Sequence, residues 1–167
     1  MKIIAVVLLI SIMLISGCAT TGTPPKTQLQ IREFQTRTYE TNDVKMVMKA
    51  LLNVLQDDGF IVKNANVELG LLNATKEVDI TNKWEAFGAF IGATQGYQTS
   101  FAKNRIIEAT ANVSEFGTQC RVRINFQIKD MDNKGGVRAV GQIEGEKYYQ
   151  DFFSKVDKGI FLQKEKL

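Results

Sequence analysis

The fold is decided by residues 41–77, TNDVKMVMKALLNVLQDDGFIVKNANVELGLLNATKE. Apolar residues recur at spacings of three and four from Val44 to Leu55, which is the period of an amphipathic helix. Residues 41–43, Thr-Asn-Asp, supply side-chain oxygens for an N-cap. Gly59 follows as a residue that can adopt the left-handed conformation of a helix C-terminus. A helix is therefore predicted to begin after residue 43 and to end before Gly59.

Extended segments are predicted on both sides of this helix. Residues 31–40 carry aromatic and threonine side chains between polar ones, which is typical of a first strand. Residues 60–63 and 67–80 have the same character, and residues 64–66, Asn-Ala-Asn, are predicted as the turn between them. The first half of the chain thus follows the order β–α–β–β.

The C-terminal half alternates between apolar and polar residues and then changes to a helical period. Residues 104–115 and 120–129 each place apolar side chains at every second position, which predicts two long strands. Residues 137–144 are predicted as a last strand. Residues 147–163 have aromatic and aliphatic side chains three and four apart, which predicts a terminal amphipathic helix. Gly159 lies inside this pattern, where a glycine can end the helix one turn early.

Together these elements predict an α+β fold in the order β–α–β–β–insertion–β–β–β–α. Half-polar alternation is typical of an antiparallel sheet with one face in water. We expect about 5–6 strands, with the two helices covering the other face as a two-layer, helix-grip-like sandwich. Residues 31–167 are predicted to form this single domain.

The insertion, residues 81–103, matches neither a strand nor an ordinary amphipathic helix. Its sequence, TNKWEAFGAFIGATQGYQTSFAK, has glycines at a spacing of four and bulky apolar residues between them. Three interpretations remain open: a glycine-rich loop or short buried helix between two strands, a contact for a partner protein, and a contact with a membrane surface. Its apolar part is too short to span a bilayer, which needs about 20 residues. The candidate contact residues are Trp84, Phe87, Gly88, Phe90, Ile91, Gly92 and Gly96.

The N-terminus has the pattern of a secretory signal peptide. Lys2 precedes an apolar run from residue 3 to residue 15, and small residues then lead to Cys18. The ending Ile-Ser-Gly-Cys resembles a bacterial lipobox, so residues 1–17 are predicted to be removed and Cys18 to be lipidated with acyl chains such as palmitate. Residues 18–30 would then be the lipidated cysteine and a flexible Pro- and Gly-containing tether.

The lipobox resemblance also implies a location. The acylated Cys18 would attach the chain to a lipid bilayer. Ala19 stands where an aspartate would mark inner-membrane retention, which favours the outer membrane, with the domain facing the periplasm.

Composition argues against several functional classes. The chain has 167 residues and a net charge of only +3, so no nucleic-acid partner is predicted. It has no histidine, which excludes Ser–His and Cys–His nucleophile pairs and imidazole ligands for a metal. With Cys18 lipidated, Cys120 has no CxxC partner, and it is either a small buried hydrophobe or a reactive thiol. No enzyme, cofactor or metal site is predicted.

Two acidic pairs remain as candidates for cation binding. Asp57 and Asp58 lie at the predicted helix end, where turn chemistry explains them. Asp130 and Asp132 begin a segment that starts like a calcium loop, but Lys134 stands where a ligand is needed. We expect both pairs to serve turns rather than metal ions.

A row of cations lies on the polar face of the predicted strand 120–129. Arg121, Arg123 and Lys129 can meet an acidic partner or lipid phosphate, or they can be solvated and paired with neighbours such as Glu108. Both interpretations remain open at this point.

Residues 41–77 resemble a recurrent bacterial lipoprotein module. In that module a helix ends at an Asp-Gly-Phe-like turn, here residues 58–60, and a Gly-Leu-[Ile/Leu]-x-Ala strand follows, here residues 70–74. Residues 149–158, YQDFFSKVDK, are similar to the close of a widespread group of envelope lipoproteins of uncharacterised function. The topology also resembles the helix-grip domains of the C subunit of the outer-membrane barrel-assembly machinery. The resemblance implies an envelope location and brings no catalytic residues.

The sequence therefore predicts a membrane-anchored bacterial lipoprotein that acts as a non-enzymatic interaction or accessory module in the cell envelope. The alternative is a periplasmic module that binds lipid or another small apolar ligand between its helices and its sheet. An enzyme using only carboxylates and hydroxyls is a third interpretation and is not the one we predict.

Overall fold

A computed structural model describes residues 26–79 and 102–165. It is an α+β structure in which one antiparallel sheet of six strands is covered on one face by helices, as predicted. In chain order the elements are α1 (Gln28–Phe34), β1 (Thr36–Tyr39), α2 (Val44–Asp57), β2 (Ile61–Asn66), β3 (Leu71–Asp79), β4 (Ala102–Phe116), β5 (Gln119–Asp132), β6 (Val137–Gln142) and α3 (Glu146–Lys164).

Two short strands share one edge of the sheet. The strands lie in the order β1-β5-β4-β3-β2, and β6 also pairs with β5. β1 pairs with the first half of β5, and β6 pairs with its second half. Between them the backbone ladder is completed by two single bonds: Ile124 N–H donates to the Gln35 carbonyl (3.0 Å), and Ile143 N–H donates to the Phe126 carbonyl (2.9 Å). The Ile124 N–H and the Phe126 carbonyl at the centre of β5 are therefore paired.

The core lies between the sheet and the pair α2 and α3. Phe126, at the centre of β5, is surrounded by aromatic rings, with centroid distances of 5.9 Å to Phe60, 5.5 Å to Tyr149 and 5.3 Å to Phe152. The buried side chains of α2 recur at the predicted helical spacing. They are Val47, Met48, Ala50, Leu51, Val54 and Leu55.

The predicted ends of α2 are confirmed. The Asp43 carboxylate accepts a hydrogen bond from Met46 N–H (2.8 Å), and Gly59 has a φ of 82° just after the helix. Gly159, by contrast, does not end α3, which continues to Lys164. A Cβ on Gly159 would lie 3.6 Å from the Ala50 Cβ, so this glycine lies where α3 packs on α2.

The strand predicted for residues 31–40 is wrong in its first half, which forms α1. Ile31 is only 1% exposed, and the Phe34 ring lies 5.2 Å from that of Tyr149. The two side chains are three residues apart, so a helix turns both toward the body of the domain, whereas a strand would place them on opposite faces. Only β1 is extended.

The helix α1 also shortens the predicted tether. Thr27 and Gln30 form a capping box, in which each side chain bonds the other residue's backbone N–H. The helix therefore begins at Gln28, inside the range 18–30 that was predicted to be a flexible tether.

The turn between β2 and β3 comes later than predicted. Residues 64–66 belong to β2, and the turn occupies residues 67–70. The Asn66 side chain accepts from Leu69 N–H (2.9 Å), and Gly70 has a φ of 63°. Asn66, the last residue of β2, thus stabilises the turn through its side chain.

Candidate functional site

The two sites singled out in the sequence lie outside the described residues. These are the lipidation site, Cys18, and the candidate contact residues of the insertion: Trp84, Phe87, Gly88, Phe90, Ile91, Gly92 and Gly96. The insertion joins β3 to β4, and Asp79 pairs with Asn104 where the two strands meet it. It is therefore attached at the end of the sheet that also carries the loop between β5 and β6.

Two of the three cations in the row on β5 have neighbours within the sheet. Lys129 forms an ion pair with Glu108 (2.8 Å), as predicted from their opposite charges. The Arg121 guanidinium lies 4.3 Å from the centroid of the Phe116 ring. Since each of these two cations has a neighbour on the same face, the solvated and paired interpretation of the row is the better one.

The acidic pair Asp130 and Asp132 has structural partners. Arg105 donates to both oxygens of Asp130 (2.7 and 2.9 Å), and these bonds lower the pKa of that carboxyl. Asp132 accepts from the backbone N–H groups of Gly136 (2.6 Å) and Lys134 (2.8 Å), which lower its pKa. Across residues 26–79 and 102–165, no cluster of three or more His, Cys, Asp or Glu side chains is placed to hold a metal ion.

Asp58 also has a structural role, at the end of α2. Its carbonyl accepts from Lys76 Nζ (2.6 Å), and its carboxylate pairs with Lys155 of α3. The same Lys76 Nζ lies 5.8 Å from the centroid of the Phe60 ring. Asp58 thus lies in the predicted turn, and two lysines connect this end of α2 to β3 and α3.

Cys120 is a small buried hydrophobe, as the alternation of β5 indicated. Its side chain is buried beside the other inward residues of that strand and forms no disulfide. Burial raises the pKa of the thiol, and the negative charges of Glu115 and Asp43 raise it further. A thiol that stays protonated is a poor nucleophile, so Cys120 is not a reactive site.

A buried polar cluster was not predicted. The Gln35 side chain, 1% exposed, donates from Nε2 to the Tyr149 hydroxyl (3.3 Å). That hydroxyl also accepts from Phe126 N–H (3.3 Å). Burial raises the pKa of Tyr149, so the phenol stays neutral. The cluster fills the gap between β1 and β6 on β5, and no local pattern around Gln35 signals this position.

Buried apolar side chains pack between the helices and the sheet. Phe126, Tyr149, Leu51, Leu55 and Val156 meet there, and all five are fully buried. The predicted alternative, a lipid cavity between helices and sheet, gains no support from this packing.

One surface groove lies between α1, α3 and β1, with a volume of about 390 Å³. Its charged residues pair with each other or with near neighbours: Lys26 lies 3.8 Å from Glu146, and Arg37 lies 3.1 Å from Asp157. Since both signs of charge are present and paired, this groove shows no preference for an ion of either sign.

A second surface groove lies between α2 and the edge strand β2, and we call it the α2–β2 groove. Its volume is about 200 Å³ and its exposed lining is almost entirely apolar. Two lysines of α2, Lys45 and Lys49, stand at its rim. The remaining lining residues are Met48, Leu52, Ala65, Val67 and Leu72. Sequence reasoning missed this groove because it assigned Ala65 to a turn.

Among the helices described, α1, α2 and α3, none combines the length and the apolar character needed to cross a membrane.

Comparison with known proteins gives fold-level likenesses. No family model matches the chain. No curated protein matches it either. Among solved structures, the chain is similar to a TBP-like protein from Parabacteroides distasonis, with 10% identity, a TM-score of 0.39, and coverage of 75% of this chain and 90% of that one. It is also similar to a DUF4468 family protein from Bacteroides ovatus, with 8% identity, a TM-score of 0.39, and coverage of 81% and 89%. Neither likeness bears on function.

Proposed function

We propose that this chain is a bacterial lipoprotein, anchored in the outer membrane through acylated Cys18, whose periplasmic domain is a non-enzymatic interaction module of the cell envelope. The observation that carries the interaction role is the α2–β2 groove, an apolar surface groove with a basic rim beside an edge strand. A small apolar groove can receive one apolar anchor side chain of a partner protein.

Several charged side chains of the domain are used in pairs within its structure. Arg105 with Asp130, Lys129 with Glu108, and Lys155 with Asp58 are pairs that connect strands or helices. A catalytic acid or base needs a carboxyl group whose pKa is raised toward neutral pH. Asp130 and Asp132 are shifted in the opposite direction.

The envelope assignment rests on the sequence resemblances. The lipobox-like ending at Cys18 supports the anchor, and the likeness of residues 41–77 to a lipoprotein module supports the location. The resemblance in topology to the barrel-assembly C subunit suggests a role in envelope assembly or maintenance. Residues 81–103 are proposed as a second contact, with a partner or with the membrane surface.

The anchor is tested by replacing Cys18 with alanine in cells. We expect Cys18→Ala to give a product without acyl chains that is uncleaved or is recovered in the soluble fraction, because several acyl chains supply the membrane affinity at about 0.8 kcal/mol per buried methylene. The measurement is membrane fractionation together with the mass of the purified chain.

The matched control is Cys120→Ala, which removes the other cysteine from a buried position. It should remain acylated and membrane-bound. A processed, acyl-free Cys18→Ala product that stays in the membrane fraction would contradict the proposed anchor.

A further inference from the structure

We propose that the α2–β2 groove binds an extended acidic segment of a partner protein, which adds to the sheet as a strand beside β2 and inserts one apolar side chain into the groove. The inference rests on the proposed interaction function and names the class of partner.

The first support is the free edge of the sheet. β2 is the last strand in the sheet order, and in the described ranges its ladder partner is β3. The opposite edge of a terminal strand presents backbone N–H and C=O groups, which an extended peptide can pair with. A bulge between Val62 and Asn64 interrupts this edge, so an added strand would pair beyond it, beside Ala65. That is the part of β2 that lines the groove.

The second support is the face that α2 turns toward this edge. Met48 and Leu52 are four residues apart and form the apolar wall, and Lys45 and Lys49 are four residues apart at the rim. An added strand would therefore lie between a free sheet edge and a helix. Its side chains on the helix side would alternate with side chains that point to the open face of the sheet.

The third support is the size of the groove. Sites for small molecules and cofactors typically have volumes of about 300 to 1,000 Å³. The α2–β2 groove, at about 200 Å³, is smaller and fits one or two apolar side chains. An anchor side chain on a peptide is thus a better occupant than a free lipid.

The fourth support is charge. The groove is lined by two lysines and by no acidic residue. Lys45 and Lys49 are separated by roughly 6 Å along the helix axis, and residues two apart in a strand are separated by roughly 7 Å. Acidic residues at the second and fourth positions from the apolar anchor are two apart and would therefore face the two ammonium groups at matching spacing.

The test uses the full-length chain in detergent and a fluorescein-labelled peptide, Thr-Leu-Thr-Asp-Thr-Asp-Thr, with binding read by fluorescence anisotropy. We expect saturable binding that weakens with salt. Binding should fall about tenfold or more for the double variant Lys45→Glu with Lys49→Glu. It should fall similarly for a peptide with serine in place of leucine.

The matched control is Lys158→Glu, which reverses one exposed charge on α3, away from the groove, and should leave binding unchanged. Circular dichroism of each variant checks that it is folded. Three results would overturn the inference: equal binding of a peptide with lysine in place of both aspartates, absence of saturable binding, or displacement of the peptide by decanoate. A dimer of the chain that is lost in the double variant would assign the groove to a second copy and would overturn it too.

This test and the test of the anchor are independent. Peptide binding reports on the groove whether or not Cys18 is acylated. A failed fractionation experiment would contradict the lipoprotein proposal but not the peptide site. A failed binding experiment would contradict the peptide site but not the lipoprotein proposal.

Discussion

At the scale of single residues, the structure explains why the Gly-Leu-Leu-Asn-Ala stretch begins with glycine, Gly70. Its φ is 63°, and its carbonyl accepts a hydrogen bond of 2.7 Å from Val113 N–H. A Cβ at this position would lie 1.9 Å from the Val113 carbonyl oxygen. Gly117 has a similar φ of 66°, but nothing lies within 4 Å of its Cβ position. A side chain at Gly70 would therefore have both a conformational and a steric cost, whereas one at Gly117 would have only the conformational cost.

We expect Gly70→Ala to lower the free energy of unfolding by about 2 to 4 kcal/mol, since a left-handed alanine costs about 1–2 kcal/mol and overpacking adds a similar amount. Gly117→Ala should cost only the first part, about 1–2 kcal/mol. Urea denaturation of both variants measures the difference. Equal losses would show that the turn moves away from β4 without cost.

Two buried tyrosines offer a second pair of substitutions. The Tyr149 hydroxyl accepts from Gln35 and from Phe126 N–H. The Tyr39 hydroxyl is buried near Asp157 and Arg37 but makes no hydrogen bond of good geometry with the described residues. Tyr149→Phe removes the partner of Phe126 N–H and one of the two partners of Gln35 Nε2, which also bonds Asn125, and we expect a loss of about 1–3 kcal/mol. Tyr39→Phe removes an unpaired polar group, and we expect no loss or a small gain.

Thermal and urea unfolding of the two phenylalanine variants provide the measurement. A loss for Tyr39→Phe as large as that for Tyr149→Phe would mean that the Tyr39 hydroxyl is hydrogen-bonded in solution.

At the scale of elements, two carboxyl groups near the end of β5 are expected to make the domain sensitive to acid. The pKa values of Asp130 and Asp132 are both lowered from the ordinary 3.8 by the hydrogen bonds described above. A carboxyl whose pKa is lower in the folded state stabilises that state above its unfolded pKa. The contribution disappears as the pH falls through the folded pKa.

We therefore expect the free energy of unfolding to fall between about pH 5 and about pH 2, with a smaller fall in Asp130→Asn. Asp151→Asn is the control, because Asp151 forms only an exposed pair with Lys147 on α3. The measurement is urea denaturation at several pH values. An unchanged pH dependence in Asp130→Asn would contradict this assignment.

Elements also differ in how far their own sequence determines them. The helix α2 has a long apolar repeat, a capping aspartate and a closing glycine, so its bounds follow from local signals. The helix α1 is short, and Phe34 and Ile31 also fit the composition of a strand. A capping box at Thr27 and Gln30 is a local signal for its start. Contact with Tyr149 of α3, more than a hundred residues away in the chain, adds tertiary support.

At the scale of the whole molecule, the insertion joins two strands that already pair with each other. Removing residues 82–102 would leave residues 80, 81 and 103 between Asp79 and Asn104, which are opposite each other in the ladder. Connections of three residues close antiparallel hairpins. We expect the shortened domain to fold with nearly unchanged thermal stability and normal anchoring, but to lose a partner or membrane contact.

Crosslinking in intact cells, followed by identification of the captured partner, measures this loss. Trp84→Ser combined with Phe87→Ser in the full chain is the matched variant and should give the same loss. If the shortened chain unfolds, or if it keeps every contact, the insertion is not an interaction element.

The sequence by itself determined the periodic parts of this protein: the alternation of β4 and β5, the buried side of Cys120, the helix α2 and the two-layer α+β class. These follow from patterns that repeat within one element, because a helix or strand has one apolar face that must be buried. Only the tertiary structure decided the position of Gln35 between β1 and β6, the packing of α1 against α3 and the α2–β2 groove. Each of these depends on contacts between residues of separate elements. Sheet order and packing determine such contacts, and no local pattern in the sequence does.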